Sequence, residues 1–328
     1  MNSELVKGLF SRRSSATEAL IAANAGKALN FEDPYDNLYA FGKIWGSYDA
    51  PVLSGFHGLM YARIGARRLV PLFGYTGTGC MQSKVDQDGN VWIRGKETGY
   101  FTDLATGDIL ETWKNPWTGK TVEVFNFYNP AMGGKLTAEM PRFAMGAARD
   151  DATLMNDGTH RHASGSGTSG TVPFILPFET YGDDLMLAWD YAHEYTNPVT
   201  PEGWPEASTG PRISPSEHFT FCMSLAEMRD RSVPTSRFVA GFSRLSQWWP
   251  WMRMGGHELA ESGVVFGRIF SHKGLKGTGD IPPKVLAYIE THAPNYLTVP
   301  DDWPNVTPHG TWEAFANQVP PETPGYRR

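Results

Sequence analysis

The sequence predicts a mainly β protein of the α+β kind: a large antiparallel β-barrel or curled sheet with a few flanking helices. Three observations lead there. About ten segments alternate apolar and polar residues at strand length, two stretches at most read as clear helices, and strands and helices do not alternate as a parallel sheet requires. A sheet of that size tends to curl or close, because closure removes its edges. A closed or nearly closed barrel is therefore expected, with a sandwich as the alternative.

Composition sets the outer bounds. With 328 residues, 41% hydrophobic and 20% charged, the chain is globular with ample core. A net charge of −6 argues against a nucleic-acid partner. The lack of any cluster of five or more Lys/Arg argues against an anionic membrane surface, and the lack of a long apolar run against a transmembrane helix. Aromatic residues are abundant: 11 Trp, 13 Tyr and 18 Phe suit a β-rich core and equally an aromatic-lined pocket for a flat apolar ligand. Cys80 and Cys222 are too few for a disulfide framework and fit a reducing compartment. Arg12 and Arg13 resemble a twin-arginine export signal, but the weakly apolar stretch behind them is broken by Glu18 and Asn24, so a cytoplasmic location is expected.

Three parts are expected in order: an N-terminal helical arm (1–50), a single β-barrel-like domain (51–293) with an irregular lid insertion (131–182), and a proline-rich C-terminal tail (294–328) that wraps the surface. In the arm, Ile21, Ala25, Ala28 and Leu29 share a helical face, and Pro34 is expected to end any helix. In the first strand, residues 56–63, His57, Leu59, Tyr61 and Arg63 share one face. A second strand is expected at 69–75, and the DGN at 88–90 marks a hairpin. Residues 96–130 read as a three-strand meander whose turns, DLATG at 103–107 and NPWTG at 115–119, each end on a glycine suited to positive φ. Strands resume at 185–195, where Leu185, Leu187, Trp189, Tyr191, His193 and Tyr195 share a face, and again at 217–223, 237–244 and 262–270. Residues 281–292 read as a short helix, with Asp280 as its cap and Pro282 in the first turn.

Certain of these segments also carry a family resemblance. ETGY at 97–100, WKNPWTG at 113–119 with Asn129 and Pro130, WPWMRMG at 249–255, and the 273–296 end with HAPNY at 292–296 together resemble domain-of-unknown-function family 1838, found in bacteria and fungi. The family has no assigned activity. The resemblance therefore implies no substrate or catalytic residue, and function must be argued from side chains.

Several familiar motifs fail on context. GSGTSG at 165–170 matches a dinucleotide fingerprint in letters, but no strand precedes it and no helix can follow, so no nucleotide or other cofactor is expected. His160 and His162 lack a third ligand, except by recruiting His193 or His218, so no metal is expected. No nucleophile elbow occurs. More informative are ionisable groups within apolar alternation. His57, Tyr61 and Arg63 accompany Leu59, and Arg244 accompanies Phe238, Ala240 and Phe242. An arginine on an inward face needs an ion-pair partner, such as Glu97 or Asp103, or an anionic ligand.

These four, Tyr61, His57, Arg63 and Arg244, are the candidate catalytic residues. Trp113, Tyr191, Trp248, Trp249, Trp251 and Met254 are the candidate lining of the substrate site. The expected function is cofactor-independent acid–base catalysis by a lyase or isomerase on a small apolar aromatic molecule. Cleavage of a phenolic lignin-type dimer with aldehyde release is one concrete member of that class. The alternative is a non-catalytic, lipocalin-like carrier. No nucleic-acid or membrane partner is expected, and homo-oligomerisation is compatible with the sequence.

Overall fold

The computed structural model describes residues 13–141, 152–153, 164–165, 171–192, 195–275, 277–278, 281–303 and 311–317. Its centre is one antiparallel sheet of nine strands: β1 (Val52–Ile64), β2 (Val70–Val85), β3 (Val91–Thr102), β4 (Phe127–Leu136), β5 (Phe178–Tyr181), β6 (Asp184–Ala192), β7 (Ser216–Ser224), β8 (Phe238–Gln247) and β9 (Gly263–Leu275). The spatial order is β5-β6-β7-β8-β9-β1-β2-β3-β4. Every strand neighbours the next in sequence, and the last pairs with the first, save at one place: β4 and β5 are the two free edges. The order is that of an up-and-down barrel opened at one seam. The expected closure does not occur, and neither does the sandwich. Closing the seam would require β5, four residues long, to cover β4, ten residues long.

Five helices accompany the sheet among the described residues: α1 (Ser15–Ala23), α2 (Pro34–Trp45), α3 (Leu225–Arg229), α4 (Pro283–His292) and α5 (Thr311–Asn317). Pro34 opens α2 where the sequence reading had it ending a helix. Proline fits the first helical position, and Asp33 caps the turn by accepting from the amides of Tyr35 and Asp36. Within α2, residues 37–44 are all buried. Leu38, Phe41 and Ile44 meet Leu185, Leu187, Phe221 and Phe238 from β6–β8, together with Val85, Val91 and Ile93 from β2 and β3. Strands from both halves of the sheet thus wrap one helix, which makes α2 core rather than an arm.

The meander at 96–130 is present in modified form. β3 pairs with β4, while the segment between them leaves the sheet as a small separate ribbon, Thr112–Lys114 against Thr121–Glu123. Its turn glycines, Gly107 and Gly119, take φ of 70° and 69° as their positions predict. The ends of the expected lid belong to strands, Phe127–Leu136 and Phe178–Tyr181. The GSGTSG motif beyond Gly165, the histidines at 160, 162 and 193, and Asp280 lie outside the described residues.

Two apolar clusters occupy the same face of the sheet. One surrounds α2. The other contains Met60, Phe73, Phe101 and Ile269 from the sheet, with Trp248, Trp249, Trp251 and Met254 from the loop after β8 and Trp312 and Phe315 from α5. The tail therefore inserts two large side chains into the core instead of wrapping the surface alone. On the opposite face, Val285 and Ile289 of α4, with Ile281 just before it, pack on Tyr100 of β3. No helix among the described residues is long and apolar enough to cross a membrane.

Candidate functional site

Strand parity decides which side chains can meet. In β1, Met60 and Ala62 are buried, while His57, Leu59 and Arg63 point to the other face and are exposed. Tyr61 lies on that outer face too, beside Phe266 at 6.2 Å between ring centroids. His57, Tyr61 and Arg63 therefore do share a face, but it is the solvent face of the sheet, and Arg244 is on the other. The structure does not bring the four expected catalytic residues together.

Arg244 does sit on the inner face with Phe238, Ala240 and Phe242. Its partner is neither Glu97 nor Asp103 but Glu217, directly across on β7, at 3.4 Å. Both side chains are half-buried. The guanidinium also lies over the Trp312 ring, 5.9 Å from its centroid. Trp248, Trp249, Trp251 and Met254 are fully buried. Trp249 and Trp251 pack on Phe73 and Phe101, and Trp113 stands edge-on to Phe73 and Trp251. These residues form a wall of the core. Tyr191 occupies the register position opposite Glu217.

Between the two packed clusters the inner face changes character. Ser54, Phe56, Tyr75, Glu97, Phe242 and Ser271 all lie there and all keep some accessible surface, whereas Phe73, Phe101, Ala240, Ile269 and Lys273 on the same face are buried. The rings lie flat against glycine: a methyl group at Gly77 would overlap Phe56, and one at Gly99 would overlap the Tyr75 hydroxyl. Phe56 contacts Tyr75 at 5.3 Å, and Tyr75 contacts Phe101 at 5.2 Å. Across the sheet, Trp189, Phe219 and Phe242 stack in series at 5.6 and 4.4 Å. This partly exposed strip of the inner face, with aromatic rings on both flanks, is termed the recess.

Glu97 is its chemically distinctive group. It follows the parity of Phe101 and so faces inward, and among the described residues nothing donates a hydrogen bond to its carboxylate. Burial, and then the negative charge of Glu217, raise its pKa from 4.5 to about 7. Glu97 keeps partial exposure while protein surrounds it on most sides. The same burial, reinforced by the charge of Glu97, pushes the Tyr75 phenol far up, which keeps it a neutral donor. The recess thus combines a carboxyl that titrates near neutrality, a phenol that stays protonated and a cation held by Glu217. Such a set can move a proton and stabilise a developing oxyanion. Among the described residues, no group of three or more His, Cys, Asp or Glu is placed to hold a metal ion.

Sequence reasoning missed Glu97, Tyr75 and Glu217 as site residues, although the signal for Glu97 was present. Val91, Ile93, Gly95, Glu97, Gly99 and Phe101 alternate as one face, and a lone carboxylate on it is the anomaly.

The chain belongs to the family described as a protein of unknown function (DUF1838), whose model matches residues 50–319. That span includes α5, beyond the motifs that carried the resemblance. No curated protein matches the chain. Among solved structures, one titled "Asymmetric conductivity of engineered proteins" is 6% identical, covering 68% of this chain and 99% of its own, at a TM-score of 0.18. Another, the Pseudomonas aeruginosa MucA/MucB complex, is 8% identical, covering 75% and 94%, at 0.13. Neither likeness informs the fold or the function.

Proposed function

We propose that this chain is a cofactor-independent acid–base enzyme, a lyase or isomerase, acting on a small and largely apolar aromatic molecule held in the recess. The observation that carries the reading is Glu97: a carboxyl with no hydrogen-bond donor among the described residues and a pKa raised to about 7, within electrostatic reach of Tyr75 and of Glu217, the partner of Arg244. In this reading Glu97 as carboxylate takes a proton from carbon or from a phenol. Tyr75 and Arg244 steady the oxygen on which charge develops, and Glu97 as acid returns the proton at another position or to a leaving group. Glu217 neutralises Arg244 and aligns it. A phenolic substrate suits this machinery because its ring delocalises charge, and cleavage of a phenolic dimer with release of an aldehyde remains one member of the class. Cys80, buried, and Cys222, exposed, are both free thiols, which supports a reducing, cytoplasmic setting.

The test is incubation without added cofactor with phenolic dimers and β,γ-unsaturated ketones, following absorbance and released aldehyde. Glu97→Gln should lower turnover by about 10²-fold or more while ligand quenching of tryptophan fluorescence persists. A carrier is the second reading, favoured by the Trp189–Phe219–Phe242 stack, which binds without needing chemistry. Tight binding across the panel with no turnover, unchanged by Glu97→Gln, would select it.

A further inference from the structure

The outer face of the sheet differs sharply between its two halves. Over β3 it is covered by α4, whose cluster reaches Leu53 at the start of β1, while no helix among the described residues shares a cluster with its outer side chains from β6 to β9. There Val239, Phe270 and Leu59 stand 62%, 45% and 39% exposed. Contiguous exposed apolar surface of this kind marks an interaction site. The register gives the patch a definite relief. One cross-sheet row reads Ala188, Thr220, Gly241, Phe270, His57 from β6 to β1. Its β6–β8 half is low: a methyl group at Gly241 would meet nothing within 4 Å. Its β9–β1 half is raised by Phe270. The next row reads Asp190, His218, Ser243, Arg268, Leu59. It is acidic at the β6 end, where His218 Nδ1 lies 3.0 Å from the Asp190 carboxylate, and basic on β9. Arg268 stacks on Phe270, 5.5 Å from the ring centroid, and has no acidic partner among the described residues.

We infer that this face is a homodimer interface, and that its occupant is a second copy of the chain related by a two-fold axis running along β8. Such an axis carries β9 of one protomer over β7 of the other. Phe270 of each copy then fills the low floor formed by Ala188, Thr220 and Gly241 of its mate. Arg268 of each copy arrives within reach of the mate's Asp190, so the charge pair forms twice. The Phe270 contact and the Arg268–Asp190 pair each form twice about the same axis, as a two-fold interface requires, with Arg268 seated over the mate's His218 and Leu59 carried over the mate's β6. A partner of uniform charge would match only one flank. The inference rests on the outer face alone and is independent of the reading of the recess.

Sedimentation velocity of the full chain across 1–100 µM, taken as roughly the range of ordinary affinities, tests it. A two-chain mass is expected. Phe270→Glu should give a single-chain mass with an unchanged far-UV circular dichroism spectrum, and the concentration dependence of the wild-type thermal melt should be lost. Asp190→Arg and Arg268→Asp should each weaken association about tenfold or more, and the double exchange should restore it. A single-chain mass for the wild type throughout, or a dimer indifferent to these substitutions, would overturn the inference. So would failure of the double exchange to recover what the single ones lose.

Discussion

Glu97 is held in the protein at the expense of stability, and that gives a test independent of any substrate. Its carboxyl titrates near 7 in the folded chain and near 4.5 when unfolded. Between those values the folded state binds more protons, so its contribution to stability falls as pH rises through the window. Glu97→Gln should therefore raise stability by about 2–3 kcal/mol at pH 8 and leave it nearly unchanged at pH 4.5, read from denaturant midpoints at each pH. A substitution that stabilises the fold while removing activity is the mark of a residue kept for chemistry. Gly99→Ala tests the recess from its floor. The added methyl overlaps the Tyr75 hydroxyl, and displacing that ring should cost about 1–3 kcal/mol and impair ligand binding. At this scale the sequence was half legible. Arg244 was identified as inward-facing because alternation within one strand reports the face. Its partner was not, because pairing with Glu217 depends on register between strands. His57, Tyr61 and Arg63 failed for a related reason: alternation says which residues share a face, not which face is covered, and on β1 both faces carry apolar side chains.

The helices depend on two buried lysines. Lys43 on α2 donates from Nζ to the carbonyls of Glu227, Met228 and Asp230 at the end of α3, at 2.6, 3.0 and 2.8 Å. Lys273 on β9 donates to the carbonyls of Lys43 and Gly46 at the end of α2. An amine donor at a helix C-terminus satisfies carbonyls that have no partner within the helix. Lys273→Met should leave those carbonyls short of a donor and cost about 2–4 kcal/mol in chemical denaturation. Trp312→Ala should cost about 3–5 kcal/mol, since α5 inserts that ring into the second cluster. Neither role could be read from sequence. An isolated lysine looks solvated until an element covers it, and a proline-rich tail gives no periodicity long enough to announce a seven-residue helix. The hairpin at 88–90 and the turn glycines were legible because their chemistry is local. Pro34 was misplaced because proline both stops and starts helices, and only the Asp33 cap decides which.

For the molecule as a whole, the strand count and antiparallel character were legible from alternation, and closure was not. Whether β4 and β5 meet depends on the relative lengths of two strands that are far apart in space. The open sheet leaves one face to wrap α2, the Trp-rich cluster and the recess between them, and this arrangement couples stability to pH. Glu97 lowers stability as pH rises from 4.5 to about 7. Lys43, whose pKa burial depresses from 10.5 to about 7, acts in the opposite sense. The folded state then binds fewer protons than the unfolded state, so stability recovers as pH rises from about 7 to 10.5. Lys273, whose pKa burial also lowers well below the usual lysine value, acts in the same sense as Lys43, and Glu97→Gln should abolish the fall in stability that Glu97 imposes between pH 4.5 and about 7. If Glu97 acts as the base, kcat/KM should rise with pH through about 7. The most direct measurement is the titration of the Glu97 side chain itself, followed by the ¹³C shift of its carboxyl carbon in labelled protein and assigned by its loss in Glu97→Gln. An inflection near pH 7 is the expected result. An inflection below pH 5 would mean a solvated surface carboxylate, and would contradict the account of the recess and of the chemistry assigned to it.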